Sequence, residues 1–531
     1  MSNMHEQTWL KECEQFFAPA STDLVDGLIG QYRKDKQRII EIAQLIGNDH
    51  CVSHFLEGNQ DQHSRYTAPS VERLFQIEGA IKHLDADYWS RTLALTDVLD
   101  TMNNDRRQQW YDQIRERKCP EFEEATVRAT LKDLLLSREK FFAERVDGIF
   151  RNLSREHVTN SPMGFRKRMI ISGVHGYHSL SYRTCGYISD LRIVIAKFMG
   201  REIPSHLGSE NIVRIALEQH GQWLKIDGGA LRIRVYLKGT AHLEVHPDMA
   251  WRLNCILAQL YPSAIPSEFR KQPEKKIKEF DLIQKPLPFS VLDVLHDMKQ
   301  VYELDEDKQR RIPIQYAYEI DYFHRQKASA REAEKVLQSI GGVPVKHYWQ
   351  FDYDPINIFK EIEASGCVPD HVSHQYYPTP ESVARDAIEM AEIGEDDFCL
   401  EPSAGQGGLA DYMPKDRTTC IEISDLHCKI LEEKGHKWMI GDFLKTELAD
   451  KYDRIVLNPP YSQGRWQAHL KHAYKFLADD GILVAILPAS ARGKELIPGA
   501  QHEFSRVYEN EFDGTSISVV IVKIRNSYGK N

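Results

Sequence analysis

Apolar positions recur every three or four residues over 64–154, as in Leu131, Leu134, Leu135 and then Phe141, Phe142, Val146, Phe150, which predicts a mostly helical stretch. Near Ala230 the period drops to two. Leu231, Ile233, Val235 and Leu237 alternate with Arg232, Arg234 and Tyr236; Lys238-Gly239-Thr240 then turns into Ala241-His242-Leu243-Glu244-Val245, the pattern of a β-hairpin. Helical spacing returns over 247–260, 291–304 and 328–340, the last stopped by Gly341-Gly342. Residues 343–374, punctuated by Pro344, Pro355, Gly366 and Pro369, read as a connecting segment with one short helix near Ile358.

Beyond that segment the pattern changes to alternating strands and helices. Thr379-Pro380-Glu381 predicts a helix start, with Thr379 as N-cap and Pro380 at the first helical position. Strands follow over 398–400, 419–423, 438–440, 455–457 and 482–487, with helices from Gly408, over 425–434 and over 466–477 between them. Residues 507–512 and 517–524, joined by Asp513-Gly514-Thr515, predict a terminal hairpin. The expected architecture is α/β: a doubly wound, Rossmann-like C-terminal sheet with a terminal β-hairpin, preceded by a mostly helical α+β N-terminal region. The expected divisions are 1–345, a connector 346–373, and 374–531.

Length and composition narrow the class. A chain of 531 residues with 42% hydrophobic content suits two or three globular domains. The N-terminal residues Met-Ser-Asn-Met-His-Glu lack a basic segment followed by an apolar core, and no apolar run is long enough to span a bilayer, so a cytoplasmic protein without membrane association is expected. Nine cysteines, with no C-x-x-C pair, indicate reduced thiols. His175, His178, His242 and His246 lack an accompanying carboxylate or cysteine pattern, so no metal site is expected. A net charge of −10 argues against a protein that coats nucleic acid indiscriminately, although Arg166-Lys167-Arg168, the lysines at 271, 275, 276 and 278, and Arg310-Arg311 form local basic patches.

In an open α/β sheet ligands bind beyond the carboxyl ends of the strands, and each predicted end carries suitable residues. The first runs into Glu401-Pro402-Ser403-Ala404-Gly405-Gln406-Gly407-Gly408, a glycine turn that permits close backbone approach. The second ends at Glu422 and Ile423, the carboxylate placed to accept from ribose hydroxyls. The third is followed by Asp442 and Phe443, an acceptor for an adenine amine and a ring to cover it. The fourth ends in Asn458-Pro459-Pro460-Tyr461. An exocyclic base amine is a poor nucleophile because its lone pair is delocalised into the ring. The Asn458 carboxamide and the Pro459 carbonyl can accept its hydrogens, the prolines stiffen the backbone, and Tyr461 offers a face to an extruded base.

Together these motifs resemble the class I S-adenosylmethionine-dependent methyltransferases, and within them the amino-methylating DNA methyltransferases of the gamma order. The resemblance covers 374–531. It implies that His374-Gln375-Tyr376-Tyr377-Pro378-Thr379-Pro380 is motif X, with Tyr377, Thr379 and Pro380 at the cofactor; that Glu401, Pro402, Ser403, Gly405 and Gly407 belong to motif I, Glu422 and Ile423 to motif II, and Asp442 and Phe443 to motif III; and that Asn458 to Tyr461 are catalytic motif IV, Asn458 also bordering the cofactor. The implied reaction transfers a methyl group from S-adenosylmethionine to adenine N6 in double-stranded DNA. Segments 138–150 and 238–243 resemble an uncharacterised domain fused to such enzymes on plasmids and prophages. Little chain remains after Tyr461 once the sheet is complete, so target engagement is expected before residue 345. Competing expectations are cytosine N4, which more often accompanies Ser-Pro-Pro-Tyr; a release-factor glutamine, whose enzymes lack the Thr-Pro element; RNA adenine; or a non-catalytic DNA-binding or host-interaction protein on a relic fold.

Overall fold

The computed structural model describes residues 22–47, 51–58, 71–176, 179–273, 286–304, 310–368, 377–512 and 517–526. The chain forms two compact units, 1–285 and 286–531. The break precedes the expected one at 345: residues 286–368, assigned from sequence partly to the N-terminal region and partly to a connector, pack within the second unit.

In the first unit the helical expectation over 64–154 holds for its described part, with helices Ile77–Ala94, Asn104–Arg115, Glu124–Leu136 and Arg138–Arg151. The first three, with Thr22–Gly47, surround Tyr32, Tyr88, Trp89, Phe122, Val127 and Leu131, and Phe141 of the fourth joins a second cluster with Leu93, Met102 and Leu134. Beyond them lies a four-stranded antiparallel sheet of β1 (Arg168–Ser172), β2 (Leu224–Ile226), β3 (Leu231–Tyr236) and β4 (Thr240–Val245), in the order β1-β4-β3-β2. The predicted hairpin is β3–β4, in the register Leu231↔Val245 to Tyr236↔Thr240. Leu231, Ile233, Val235, Ala241, Leu243 and Val245 are fully buried on one face. Helix Pro247–Leu260 starts where the pattern placed it, capped by His246 Nδ1, which accepts from the Asp248 amide at 3.1 Å. His175 bonds through Nε2 to the Tyr236 carbonyl at 3.0 Å, and His178 lies outside the described residues. Among the described residues no cluster of His, Cys, Asp and Glu could hold a metal ion, and no helix is long and apolar enough to cross a membrane.

The second unit opens with a correction. The helix expected over 291–304 occupies Phe289–His296, and residues 299–304 form β5 (Lys299–Leu304), paired with β6 (Arg311–Glu319). Val301 and Tyr302 prefer an extended backbone, and pairing with the next strand, β6, decides what local spacing left open. The supposed connector contributes β7 (Val343–Val345), β8 (Tyr348–Gln350) and a helix, Ile356–Ser365, closed by Gly366 at φ +69°.

The main sheet has seven strands: β9 (Cys399–Pro402), β10 (Thr418–Glu422), β11 (Lys437–Ile440), β12 (Tyr452–Leu457), β13 (Leu477–Pro488), β14 (Gln501–Tyr508) and β15 (Val519–Arg525). Their order is β11-β10-β9-β12-β13-β15-β14, parallel from β11 to β13, with β15 antiparallel to both neighbours. This is the expected Rossmann-like sheet, and it reverses direction of build between β9 and β12, where such folds open a ligand crevice. The terminal hairpin is β14–β15, its first strand six residues earlier than the predicted start at 507; the expected turn at 513–515 lies outside the described residues. Two helical expectations need amendment. After Gly407 the chain makes only a 3₁₀ turn, Ala410–Tyr412, in place of a helix from Gly408. Helix Glu381–Ala391 begins one residue late: Pro380 is its N-cap, and Thr379 caps nothing.

Candidate active site

The carboxyl ends of the parallel strands border one cleft of about 1100 Å³, counted out to its open mouth and so including open solvent. Of the residues expected there, Tyr377, Thr379, Glu401, Ser403, Gly405, Glu422, Ile423, Asp442, Phe443, Asn458, Pro459, Pro460 and Tyr461 line it. Pro380, Pro402 and Gly407 do not; they shape the backbone behind it. The rest of motif X, residues 374–376, lies outside the described residues.

Thr379 is drawn to the cleft. Its Oγ1 accepts a hydrogen bond from Asn458 Nδ2 at 3.1 Å, and the Tyr461 hydroxyl lies 3.0 Å from Asn458 Oδ1 and 3.2 Å from the Ile486 carbonyl. Both ends of the carboxamide are therefore pinned. Oδ1 keeps a second lone pair for an incoming amine, and the Pro459 carbonyl belongs to the same rim. Pro459 is buried and Asn458 half-buried, so the acceptors meet the cleft without being sealed from it. The sequence assigned Tyr461 to stacking alone; its hydroxyl also orients Asn458, while its ring packs against the cores on both sides of the sheet. Burial pushes its phenol pKa up, so it remains a donor at neutral pH.

The glycine turn is held by two carboxyls in different states. Glu401 Oε2 accepts from the Ala410 amide at 2.7 Å. Burial, aided by Asp411 and Glu422, pushes its pKa up to about 8 despite backbone hydrogen bonds, so it is mainly protonated at neutral pH. Glu422 is also buried, yet His427 and the backbone amides outweigh desolvation and hold its pKa below the usual value. Its oxygens accept from Gly405 at 2.7 Å and Ser424 at 2.8 Å. Glu401 thus clamps the turn, and Glu422 is the ionised acceptor facing the cleft. Ser403, Gly405 and Gly407 have φ of +63°, +56° and +83°. A Cβ on Gly407 would sit 2.9 Å from Leu431 Cδ2, so both conformation and space require glycine there.

Ile423 is 59% exposed, an apolar side chain presented beside an ionised carboxylate. Asp442 caps the turn Phe443–Lys445 through the Leu444 amide at 3.2 Å, and its pKa is lowered first by Lys445, 3.0 Å away. Phe443 is only 2% exposed. It packs against His472 and His469, at 4.9 and 5.7 Å between ring centres, so it belongs to the core as much as to the lining.

Sequence reasoning missed His427, Arg465, His469, Phe512, Ile517 and Val519, all of which line the cleft. His469 bonds through Nδ1 to Ser403 Oγ at 3.2 Å, and burial drives its pKa down to about 4, so it is neutral. Arg465 and His469 stand four apart on helix Arg465–Tyr474, a helical spacing that placed them on one face, but nothing in their identity distinguished that face from a solvated one.

The model of a domain of unknown function, DUF4942, matches residues 81–263, inside the first unit. Among solved structures, the chain is similar to TrmN from Thermus thermophilus, with 17% identity over 27% of this chain and 48% of that one and a TM-score of 0.24. It is also similar to the N-methyltransferase NodS from Bradyrhizobium japonicum WM9 in complex with S-adenosyl-L-homocysteine, with 16% identity over 27% and 85% and a TM-score of 0.23. For the 23S rRNA methyltransferase ErmE the values are 20%, 29%, 70% and 0.24. The match spans about half the length of TrmN. At these scores the likenesses add nothing to what sheet order and cleft geometry give.

Proposed function

We propose that the second unit is an S-adenosylmethionine-dependent methyltransferase acting on adenine N6 of double-stranded DNA. The observation that carries the proposal is the Asn458 carboxamide, fixed at both ends by Thr379 and Tyr461, in one cleft with Glu422 and Asp442. The residues present fit the donor chemically. Glu422 offers an ionised acceptor for ribose hydroxyls, Asp442 an acceptor for a base amine, Ile423 an apolar surface, and the turn at 403–407 a backbone that a ligand can approach closely.

Bound S-adenosylmethionine supplies an electrophilic methyl carbon. The protein's part is to present the nucleophile. Asn458 Oδ1 and the Pro459 carbonyl accept the two amine hydrogens, which draws the nitrogen lone pair out of conjugation and points it along one line. Holding both acceptors in a preset geometry avoids reorganisation during transfer. Extruding the base costs a few kcal/mol, offset by the Tyr461 ring and the apolar side chains of Phe512 and Ile517. Transfer leaves the methylated amine cationic, and its extra proton is acidic enough to pass to solvent water, so His469, with a pKa near 4, is not required as a general base.

The test is incubation with methyl-labelled donor and duplex DNA, RNA or a release factor, followed by identification of the modified nucleoside or residue. N6-methyladenine in DNA is expected; label confined to RNA or protein would sink the proposal. Asn458→Ala should lower kcat at least about 100-fold, the scale of losing a preorganised polar contact to a reacting group, with donor affinity nearly unchanged. Retained turnover would remove Asn458 from its assigned role.

A further inference from the structure

Gln406 sits in the glycine turn between Gly405 and Gly407 and is only 7% exposed, yet it does not line the cleft. Its side chain serves another element. Nε2 donates to the Ser339 carbonyl at 2.6 Å, across 67 positions of chain. Ser339 ends helix Ala328–Ser339, whose last carbonyls have no partners within the helix. The Gly342 amide takes the Leu337 carbonyl at 2.9 Å, the Tyr353 hydroxyl takes that of Ile340 at 2.6 Å, and Gln406 takes the one at 339. A Cβ on Gly341, at φ +89°, would lie 3.4 Å from Gln406 Oε1, so the whole amide is seated against the end of that helix. A second contact joins the same layer, residues 286–368, to the far end of the turn. Lys434 Nζ lies 2.8 Å from Asp352 and 2.7 Å from Asp411, whose amide bonds the Gly407 carbonyl at 2.9 Å.

The turn needs such support. Ser403, Gly405 and Gly407 all have positive φ, and a residue such as Ser403 keeps that conformation only where its surroundings enforce it. Within the main sheet the enforcing contact is Glu422 Oε2 on the Gly405 amide, but Glu422 is also the acceptor assigned to the ribose hydroxyls of the methyl donor. Gln406 is a tie for which that ligand does not compete.

We infer that Gln406 is a positioning residue for the methyl donor: anchored on residues 286–368, it holds the glycine turn in the shape the donor meets. The inference rests on the cleft taking S-adenosylmethionine, and it gives the layer ahead of the main sheet a part in that site. A loop fixed beforehand in its bound shape has less freedom to lose when the ligand arrives, so the tie acts on affinity.

The experiment is calorimetric titration of S-adenosylmethionine into the full chain and into Gln406→Met, which keeps the side-chain length and removes both polar atoms. Loss of one hydrogen bond that steadies the turn should weaken donor binding roughly 2- to 13-fold. A bond that serves only to cap helix Ala328–Ser339 would lower the melting temperature and leave the folded variant at parental donor affinity; that result would overturn the inference. Reciprocity supplies a readout free of substitution: in the parental protein, bound donor should slow amide exchange at Gly341 and Gly342, which close the helix end that Gln406 caps. Unchanged exchange there would overturn the inference even where Gln406→Met does not fold. A parent that binds no donor would defeat the reading of the cleft and this inference together; a parent that binds it, with unaltered affinity in the variant, would defeat the inference alone.

Discussion

Replacing Tyr461 with Phe removes one oxygen and leaves the ring packed between the two cores it touches. The hydroxyl lost is the donor 3.0 Å from Asn458 Oδ1, so the carboxamide keeps only its tie to Thr379. A hydrogen bond of this kind contributes about 0.5–1.5 kcal/mol net, which corresponds to roughly a 2- to 13-fold drop in kcat if the bond serves only to aim the carboxamide. Thr379→Val removes the other tie at nearly constant volume and should cost a similar factor. With both removed, independent ties would multiply to about 5- to 150-fold, while a carboxamide that swings away once either is lost would make the double variant little worse than the poorer single one. Single-turnover methyl transfer at saturating donor and DNA measures the step directly, and donor titration by calorimetry should show affinity within about twofold of the parent. A Tyr461→Phe enzyme with parental single-turnover rate would refute the orienting role and leave stacking as the ring's only function.

Glu401 gives a pH prediction. Its carboxyl has a folded pKa near 8 against an unfolded value of 4.5, so its protonated form favours folding fully below pH 4.5 and that contribution is lost as pH rises toward 8. Relative to Glu401→Gln, parental stability in urea should decline from pH 5 to pH 8, by at most about 1.4 kcal/mol per pH unit; parallel curves would show that Glu401 is ionised throughout. Gly407→Ala forces a side chain into φ +83° and against Leu431, and should cost about 1–3 kcal/mol of stability in thermal or urea melts, with no loss marking the turn as more adaptable than its geometry implies.

The parts of the fold that sequence patterning anticipated are those where local and tertiary preferences agree. Buried parallel strands such as Ile455-Val456-Leu457 are continuous apolar runs, so β10, β12 and β13 were placed correctly in kind. Lys299 to Leu304 failed because its charged residues suit either helix or strand, and only pairing with β6 decides between them. The helix expected from Gly408 failed because Met413, the residue before Pro414, is extended at ψ 160° and leaves room for only a single 3₁₀ turn. The same division runs through the cleft. Residues at strand ends were found because sheet geometry dictates where strands deliver their last side chain, whereas His427, His469 and Ile517 come from helix interiors and the final hairpin, where position in the sequence does not reveal which way a side chain points. Thr379 was expected both to cap a helix and, through the motif X resemblance, to border the cofactor; it lines the cleft but caps nothing, and its hydroxyl holds the Asn458 amide.

That last contact joins residues 79 positions apart, from opposite flanks of the strands that build the crevice. A fragment cut to begin at residue 381 would retain every strand of the seven and still lack the side chain that steadies its most important amide. Dissection of this protein should therefore keep Thr379 and its neighbours ahead of the first sheet helix, even though residues 377–380 contribute no strand of their own.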